Sequence, residues 1–237
     1  MRAFNVFHTK TTRVKSKQRS RTNFRRLLVC ERLATRIALT AYIVDTLDDS
    51  NAADGLISLR EAIAAANTNQ PFVDAVAGQA GPAQVDTIQF SPTLNGQVIT
   101  LGSLGALQIT DALQISDNNL QALIIDGNGQ QIFNVASNGG NSTISDLTLR
   151  NGVADQGGAI FVGSGSSVSL SRITLHNNLA NNGGAIYNNG GALNILNSTL
   201  ASNVAIAASG SGGAIFSASG SVATVNSTIS FNNATRA

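Results

Sequence analysis

A four-residue phrase, Gly-Gly-Ala-Ile, recurs in the carboxyl-terminal half of this sequence. Its copies begin at Gly157, Gly183 and Gly212. A second phrase, T-[LI]-x-x-[NG]-x-A, begins at Thr148, Thr174, Thr199 and Thr228. The threonines are 26, 25 and 29 residues apart, and the two Gly-Gly-Ala-Ile intervals are 26 and 29 residues. Two independent phrases that keep the same spacing define a repeat protein.

The pattern inside each repeat is typical of strands. Apolar residues alternate with small or polar ones, as in residues 192–200, and residues 144–237 contain no 3.6-residue apolar period. This excludes the helical repeat classes and predicts three short strands per repeat, near Gly-Gly-Ala-Ile, near Leu193 to Leu196 and near Thr199. Such strands pair in parallel with their copies in the next repeat and form a β-helix, whose turns stack about 4.8 Å apart.

These repeats resemble the Gly-Gly-Ala-Ile repeats of bacterial surface proteins, including polymorphic outer-membrane proteins. Residues 54–63, DGLISLREAI, resemble the CSLREA motif that precedes the β-helix in that family, although Ile57 replaces its cysteine. Together the two resemblances cover residues 42–237. They imply an all-β fold, a right-handed parallel β-helix (a pectate-lyase-like solenoid), with a short amino-terminal capping helix.

The same resemblance implies a function. The protein is expected to be a secreted or surface-displayed passenger of the outer membrane, which acts as a stalk or an adhesin. No catalysis, cofactor or metal is expected. The expected partner is a host or extracellular glycan or protein, and nucleic acid is not an expected partner.

Charge is distributed unevenly along the chain. Residues 1–40 hold eleven of the fifteen Lys and Arg and one acid, a net charge of +10, whereas the rest carries four basic residues and twelve acids, a net charge of −8. We interpret residues 1–41 as a basic leader, either disordered or a degenerate export signal. Its run of Arg and Lys leaves nucleic-acid binding as a further alternative. The single cysteine, Cys30, lies in this leader, and the chain contains no apolar run long enough for a transmembrane helix.

A cap is predicted for residues 42–86. Ser58 and Glu61 have the S-x-x-E spacing of a capping box, which predicts a helix that begins here and ends between Asn67 and Pro71. Its small apolar face suits it to cover the open end of a β-helix. Arg60 and Glu61 are therefore interpreted as an ion pair and a cap, not as catalytic residues.

Residues 87–237 are predicted to form the β-helix. Irregular early turns are expected from strand-like segments at 87–90, 97–101, 113–115, 123–126 and 131–135. The whole region allows roughly six turns at ~25 residues each. We expect the β-helix to be truncated at its carboxyl end, so that copies of the chain associate end to end through an uncovered last turn.

Four aspartates before the cap do not match a calcium loop, and no metal site is predicted from them. They are Asp45, Asp48, Asp49 and Asp54.

Aligning the repeats predicts which side chains share a column. Leu149, Leu175, Leu200 and Ile229 are expected to point inward, and the four threonines of the second phrase are expected to point outward. Ionisable residues on the repeats are then candidates for catalysis. They are Asp146, Arg150, Asp155, Arg172 and His176.

Two interpretations of these ionisable residues stay open. In the first, Asp146 pairs with Arg172 on the surface, Arg150 weakly repels His176, and none is catalytic. In the second, the chain is a fragment of a carbohydrate-active β-helix enzyme, a polysaccharide lyase or hydrolase. The first is favoured because no pair of carboxylates repeats in neighbouring turns, as glycoside hydrolysis requires.

Overall fold

The computed structural model describes residues 41–78, 85–119, 121–207 and 212–235. Residues 1–40, the bulk of the predicted leader, lie outside this described part. Within it, there is one α-helix, α1 (Leu59–Thr68), and a short 3-10 helix, Pro92–Leu94. No helix in the described residues is long and apolar enough to cross a membrane.

The described residues otherwise form short strands. In chain order they are β1 (Ala41–Val44), β2 (Asp86–Phe90), β3 (Val98–Thr100), β4 (Leu107–Ile109), β5 (Leu113–Ser116), β6 (Leu123–Asp126), β7 (Phe133–Val135), β8 (Asn141–Ser145), β9 (Leu147–Arg150), β10 (Val153–Gln156), β11 (Ile160–Val162), β12 (Ser167–Ser171), β13 (Thr174–His176), β14 (Leu179–Asn182), β15 (Ile186–Leu196), β16 (Thr199–Ala201), β17 (Val204–Ala205), β18 (Ile215–Val225), β19 (Thr228–Ser230) and β20 (Asn233–Ala234).

These strands form three sheets, and the strands of each sheet pair in parallel. The ten-stranded sheet has the order β1-β2-β5-β8-β12-β15-β11-β7-β4, with β18 also paired to β15. The six-stranded sheet has the order β19-β16-β13-β9-β6-β3, and the four-stranded sheet has the order β10-β14-β17-β20. The result is a β-solenoid of about six turns, which confirms the predicted fold class.

The predicted register of the threonine phrase is confirmed. Thr174 is aligned with Thr148 on one side and with Thr199 on the other, and Thr199 is aligned with Thr228. The leucine after each of the first three threonines is fully buried. Ile229 occupies the same column in the last described turn and is 49% exposed, since no further described turn packs over it.

The prediction of three strands per repeat omits one short strand, and in the last two repeats the first two predicted strands are joined as β15 and β18. The missing strands are β10, β14, β17 and β20, which align the final alanine of the threonine phrase from turn to turn. They contain only two to four residues. That length is too short for an alternating pattern to be recognised.

The two glycines of each Gly-Gly-Ala-Ile phrase have different roles. The first adopts a left-handed backbone, with φ of +62° at Gly183, a conformation that glycine reaches without strain. The second lies against the backbone of the next turn: a Cβ atom at Gly184 would be 2.3 Å from the carbonyl oxygen of Gly213 and 2.6 Å from the backbone of Val204. The repeated phrase thus marks where neighbouring turns approach most closely.

Asn178, Asn203 and Asn232 form a ladder of amides through three turns. Oδ1 of Asn203 accepts from the backbone N–H of Asn178 at 3.1 Å and from its Nδ2 at 2.9 Å. Asn232 accepts the same two bonds from Asn203, both at 2.9 Å. These bonds join neighbouring turns. The left-handed backbone of this corner belongs to the preceding residues, Asn177, Ser202 and Phe231.

Helix α1 begins with the predicted capping box. Ser58 Oγ accepts from the Glu61 N–H at 3.2 Å, and the Glu61 carboxylate accepts from the Ser58 N–H at 3.0 Å. The helix ends at Asn69, which has a left-handed backbone. Leu59 and Ile63 are buried in the core shared with the first turns of the solenoid.

Arg60 joins the helix to the solenoid through a buried ion pair. Its Nε and Nη2 donate to the two carboxylate oxygens of Asp49 at 2.6 and 2.9 Å. Nη2 also donates to the carbonyl of Gly105 at 2.8 Å, and Asp49 accepts from the N–H of Gly102 at 2.8 Å. The interpretation of Arg60 as an ion-pair residue is confirmed.

The strand before the helix belongs to the ten-stranded sheet. Strand β1, Ala41–Val44, overlaps the start of the predicted cap and pairs in parallel with β2. The described solenoid therefore begins before α1, and α1 is inserted between its first two strands.

Candidate functional site

The outer face of the six-stranded sheet carries the threonine column and two groups of charged residues. The side chains of Thr148, Thr174 and Thr199 are half-buried. Asp146 and Arg172 lie just before strands β9 and β13, whereas Arg150 and His176 end those strands and are aligned with each other. The charged groups therefore flank the threonines at opposite ends of the strands.

Asp146 and Arg172 form the predicted surface ion pair. Nη2 of Arg172 donates to Oδ2 of Asp146 at 2.7 Å, and the Arg172 side chain is 59% exposed. The hydrogen bond from Arg172 lowers the pKa of Asp146, although partial burial of the carboxylate opposes this. An exposed pair of this kind contributes about 0 to 1 kcal/mol to stability.

Arg150 has a partner that sequence reasoning missed, Asp126. Arg150 Nε donates to Oδ2 of Asp126 at 2.8 Å, and Asn151 Nδ2 donates to the same oxygen at 2.9 Å. Burial alone would raise the pKa of Asp126, but hydrogen bonds from the backbone N–H of Asn128, from Arg150 and from Asn151 outweigh it and lower this pKa. The alignment of Asp126 with Arg150, one turn apart in neighbouring strands, is the signal that could have identified the pair.

His176 lies in the turn after Arg150 in the same column. Burial lowers the pKa of the imidazole, the positive charge of Arg150 lowers it further, and Asp126 partly offsets both. The predicted repulsion between Arg150 and His176 therefore has the expected direction. Asp126, Arg150 and His176 together form a column of one acid followed by two bases on three consecutive turns.

Replacing Arg150 with Gln is expected to raise the pKa of His176, because the replacement removes a positive charge that disfavours the imidazolium form. Since the pKa of His176 is lowered by folding, its contribution to stability is present above the unfolded pKa of about 6.5 and is lost as the pH falls from there through the lower pKa of the folded state. Arg150→Gln is expected to reduce this loss. An NMR titration of the His176 ring measures the pKa.

The matched control for this titration is Arg172→Gln, since Arg172 pairs with Asp146 at the other end of the strands. The control is expected to leave the pKa of His176 unchanged. An equal rise in both variants, or a fall in Arg150→Gln, would contradict the assigned cause.

Asp155 lies away from the other candidates. It belongs to β10 in the four-stranded sheet and accepts from Asn181 Nδ2 in the next turn at 3.0 Å. The five predicted candidates therefore fall into three separate groups: the pair Asp146 and Arg172, the residues Arg150 and His176 beside Asp126, and Asp155 alone.

Three of the four aspartates before helix α1, Asp45, Asp49 and Asp54, accept hydrogen bonds from the backbone or from Arg60. Asp45 accepts from the N–H of Ile57 at 2.7 Å, and Asp54 accepts from that of Leu56 at 2.9 Å. Across residues 41–78, 85–119, 121–207 and 212–235, no group of three or more His, Cys, Asp or Glu side chains is arranged to hold a metal ion.

Two of the open pockets on the solenoid surface lie beside candidate residues. The first, of about 470 Å³, is lined in part by Asp126, Asn151 and Asn177, beside the charged column. The second, of about 260 Å³, is lined by Gln131, Asn134, Ala154, Asp155, Gln156 and Phe161. Sequence reasoning predicted neither pocket.

Phe161 also begins a stack of three aromatic rings. Its ring lies 5.7 Å from that of Tyr187, with 5° between the ring planes, and Tyr187 lies 5.2 Å from Phe216 at 40°. Each of these residues directly follows a Gly-Gly-Ala-Ile phrase. The aromatic position was therefore a repeated feature of the sequence, and it went unused in the predictions.

No protein-family profile, curated protein or solved structure matches this chain.

Proposed function

We propose that this protein is a non-catalytic β-solenoid passenger, secreted or displayed at the outer membrane, that serves as a stalk or an adhesin-like binding surface. The observation that carries the proposal is that both arginines on the repeats are held in ion pairs with aspartates. Arg172 pairs with Asp146, and Arg150 pairs with Asp126. Groups held in such pairs are spread along the rod and do not converge on one reacting bond.

The arrangement of carboxylates supports the absence of hydrolysis. Asp126 is the one carboxylate within the strands of the six-stranded sheet, and its pKa is lowered. A glycoside hydrolase needs a second carboxyl group about 5 to 9.5 Å away, and one of the two must have a raised pKa to act as the acid. Lowering the pKa of Asp126 removes it from the acid role.

The cellular location in this proposal is supported by the two sequence resemblances. The CSLREA-like segment, residues 54–63, forms the start of the capping helix, and the repeats that follow it form the solenoid. An exported protein is expected to lose its basic leader near residue 41. Expression in a Gram-negative host, followed by sequencing of the amino terminus of the secreted product, tests this location.

The alternative, a polysaccharide lyase or hydrolase, has the 470 Å³ pocket beside Asp126 in its favour. We expect the purified chain to release no fragments from polygalacturonate, measured as reducing ends and as unsaturated products. Arg172→Ala, His176→Ala and Asp126→Asn are expected to leave binding to surfaces unchanged. Cleavage by the parent chain that is lost in Asp126→Asn would establish the enzyme and overturn the proposal.

We further propose that the isolated 237-residue chain self-associates through its last described turn. The exposed apolar side chains there include Val225, Ile229 and Phe231, at 52%, 49% and 88% exposure. In this turn β18, β19 and β20 each pair on one side, and strand edges of this kind recruit further strands. Sedimentation velocity at increasing concentration is expected to show dimers that Phe231→Asp weakens, and a monomer at all concentrations would contradict this.

A further inference from the structure

We propose that the pocket beside Phe161 binds a neutral pyranose ring of an extracellular glycan. The inference rests on the proposed binding function and names its class of ligand. Three properties of the pocket support it: an aromatic surface at the end of a fixed stack, amide side chains around that surface, and a single negative charge.

The aromatic surface comes from the first ring of the stack. The Phe161 ring packs against Tyr187 on the side of the following turn, with the ring planes 5° apart. On the side of the preceding turn its register partner is Asn134, so no fourth ring continues the stack there. Phe161 lines the pocket together with Asn134. Because the face of an aromatic ring is electronegative, it favours the polarised C–H groups on the apolar face of a pyranose.

The stack also holds this surface in place. Tyr187 is 7% exposed and lies between Phe161 and Phe216, so the Phe161 ring is supported from behind by two further turns. A binding surface that is rigid before the ligand arrives loses little conformational entropy on binding.

The remaining side chains of the pocket supply hydrogen-bonding groups at its rim. Gln131 Nε2 donates to the carbonyl groups of Gln156 and Gly157 at 2.7 and 2.8 Å, which fixes the side chain and leaves its Oε1 as an acceptor. Asn134 and Gln156 add amide groups that both donate and accept. Sugar hydroxyls likewise both donate and accept, so amides are suitable partners for them.

The charge of the pocket selects among sugars. Asp155 is the one ionisable residue that lines it, and one of its carboxylate oxygens already accepts from Asn181 at 3.0 Å. Its other oxygen can accept from a hydroxyl, whereas a carboxylated or sulfated sugar would bring a second negative charge beside it. Like charges in contact are repulsive, so a neutral ring is favoured over a uronic acid.

The size of the pocket indicates weak binding of one ring. Its volume of about 260 Å³ is below the 300 to 1,000 Å³ typical of pockets for larger ligands. We expect dissociation constants on the order of 1 mM for a monosaccharide. Display of many copies on one surface would convert this weak affinity into strong attachment.

An NMR titration of the 237-residue chain tests the pocket, with methyl pyranosides of glucose, galactose and mannose and with methyl galacturonate as the acidic probe. At least one neutral pyranoside is expected to shift the amide signals of Asn134, Asp155 and Gln156, and galacturonate is expected to shift them less. Phe161→Ala is expected to weaken binding at least about tenfold. Phe216→Ala, the matched control at the far end of the stack, is expected to change binding less than about twofold.

Three other results of this titration would contradict the proposal that the pocket binds a neutral pyranose. They are the absence of shifts with every neutral pyranoside, equal binding by the parent chain and Phe161→Ala, or a preference for galacturonate. The cleavage assay with polygalacturonate keeps the two proposals apart. If the chain neither cleaves the polymer nor binds sugar, only the proposal of a sugar-binding pocket is contradicted. If the chain cleaves the polymer, the proposed non-catalytic function is contradicted.

Discussion

Replacement of Gly184 by Ala is expected to lower the free energy of unfolding by roughly 3 kcal/mol or more, because the added methyl group has no space. Its Cβ atom would lie 2.3 Å from the carbonyl oxygen of Gly213 and 2.6 Å from backbone atoms of Val204. All of these are backbone atoms, which cannot rotate away as the end of a side chain can. Relief therefore requires the turns to separate, which lengthens the hydrogen bonds between them.

The control for this effect is a glycine that has a left-handed backbone but open space around it, so that alanine there adds the conformational cost without a steric clash. Gly105 has φ of +76°, and a Cβ atom added to it would meet no other atom within 4 Å. Gly105→Ala is expected to cost about 1 to 2 kcal/mol, the conformational penalty alone. Urea unfolding followed by circular dichroism compares the two variants, and equal losses would contradict the role of close approach.

The part of the fold that Gly184→Ala destabilises can also be predicted. In a solenoid each turn contacts its neighbours alone, so stability is a sum of terms for single turns and for the interfaces between them. Gly184→Ala weakens the interface between the turns that contain Gly184 and Gly213. Hydrogen exchange is expected to accelerate most in β18, β19 and β20, and least in β2 and β5.

Replacement of Asn203 by Leu is expected to cost roughly 3 to 5 kcal/mol, because it interrupts the amide ladder at its most buried position. Asn203 is fully buried, and its side chain takes part in four hydrogen bonds, with Asn178 N–H and Nδ2, with the Leu175 carbonyl and with Asn232 Oδ1. Leucine has the same number of side-chain heavy atoms and the same branching at Cγ but no hydrogen-bonding groups. The backbone and amide groups of the neighbouring turns therefore lose their partners away from water.

The control for the ladder is an asparagine of the same turn that points outward. Asn194 is exposed on β15, and Asn194→Leu is expected to change the free energy of unfolding by less than about 0.5 kcal/mol. Asn232→Leu is expected to fall between the two, since Asn232 is half-buried at the end of the ladder. Thermal and urea unfolding give this order, and a cost for Asn203→Leu as small as that for Asn194→Leu would show that the ladder does not stabilise the fold.

The features that sequence reasoning predicted correctly are those that repeat with a fixed period. The alignment of Thr148 with Thr174 and of Arg150 with His176 follows from the period alone, because parallel turns place equivalent residues side by side. The capping box was predictable for a different reason. It is local, since Ser58 and Glu61 are three residues apart and need no information about the rest of the chain.

The features that were missed depend on contacts that the repeat phrases do not contain. Asp126 lies in an early, irregular turn outside those phrases, so its pairing with Arg150 had no repeated counterpart to mark it. The left-handed residue of the asparagine corner varies between Asn, Ser and Phe from turn to turn, which hides it from a search for conserved spacing. The pocket beside Phe161 forms between two sheets, and the path of the chain between them cannot be read from a strand pattern.

The ion pairs of Arg60, Arg150 and Arg172 also control where trypsin can cleave the described part of the chain. Residues 41–235 contain no lysine and no other arginine, so these three residues hold every tryptic site of the described part of the chain. Each arginine is held against a carboxylate in or beside regular structure, whereas a protease needs a loosened, extended backbone. Cleavage therefore reports opening, at Arg60 for the cap and at Arg150 or Arg172 for two consecutive central turns. The order in which the fragments appear would record which end of the rod unravels first.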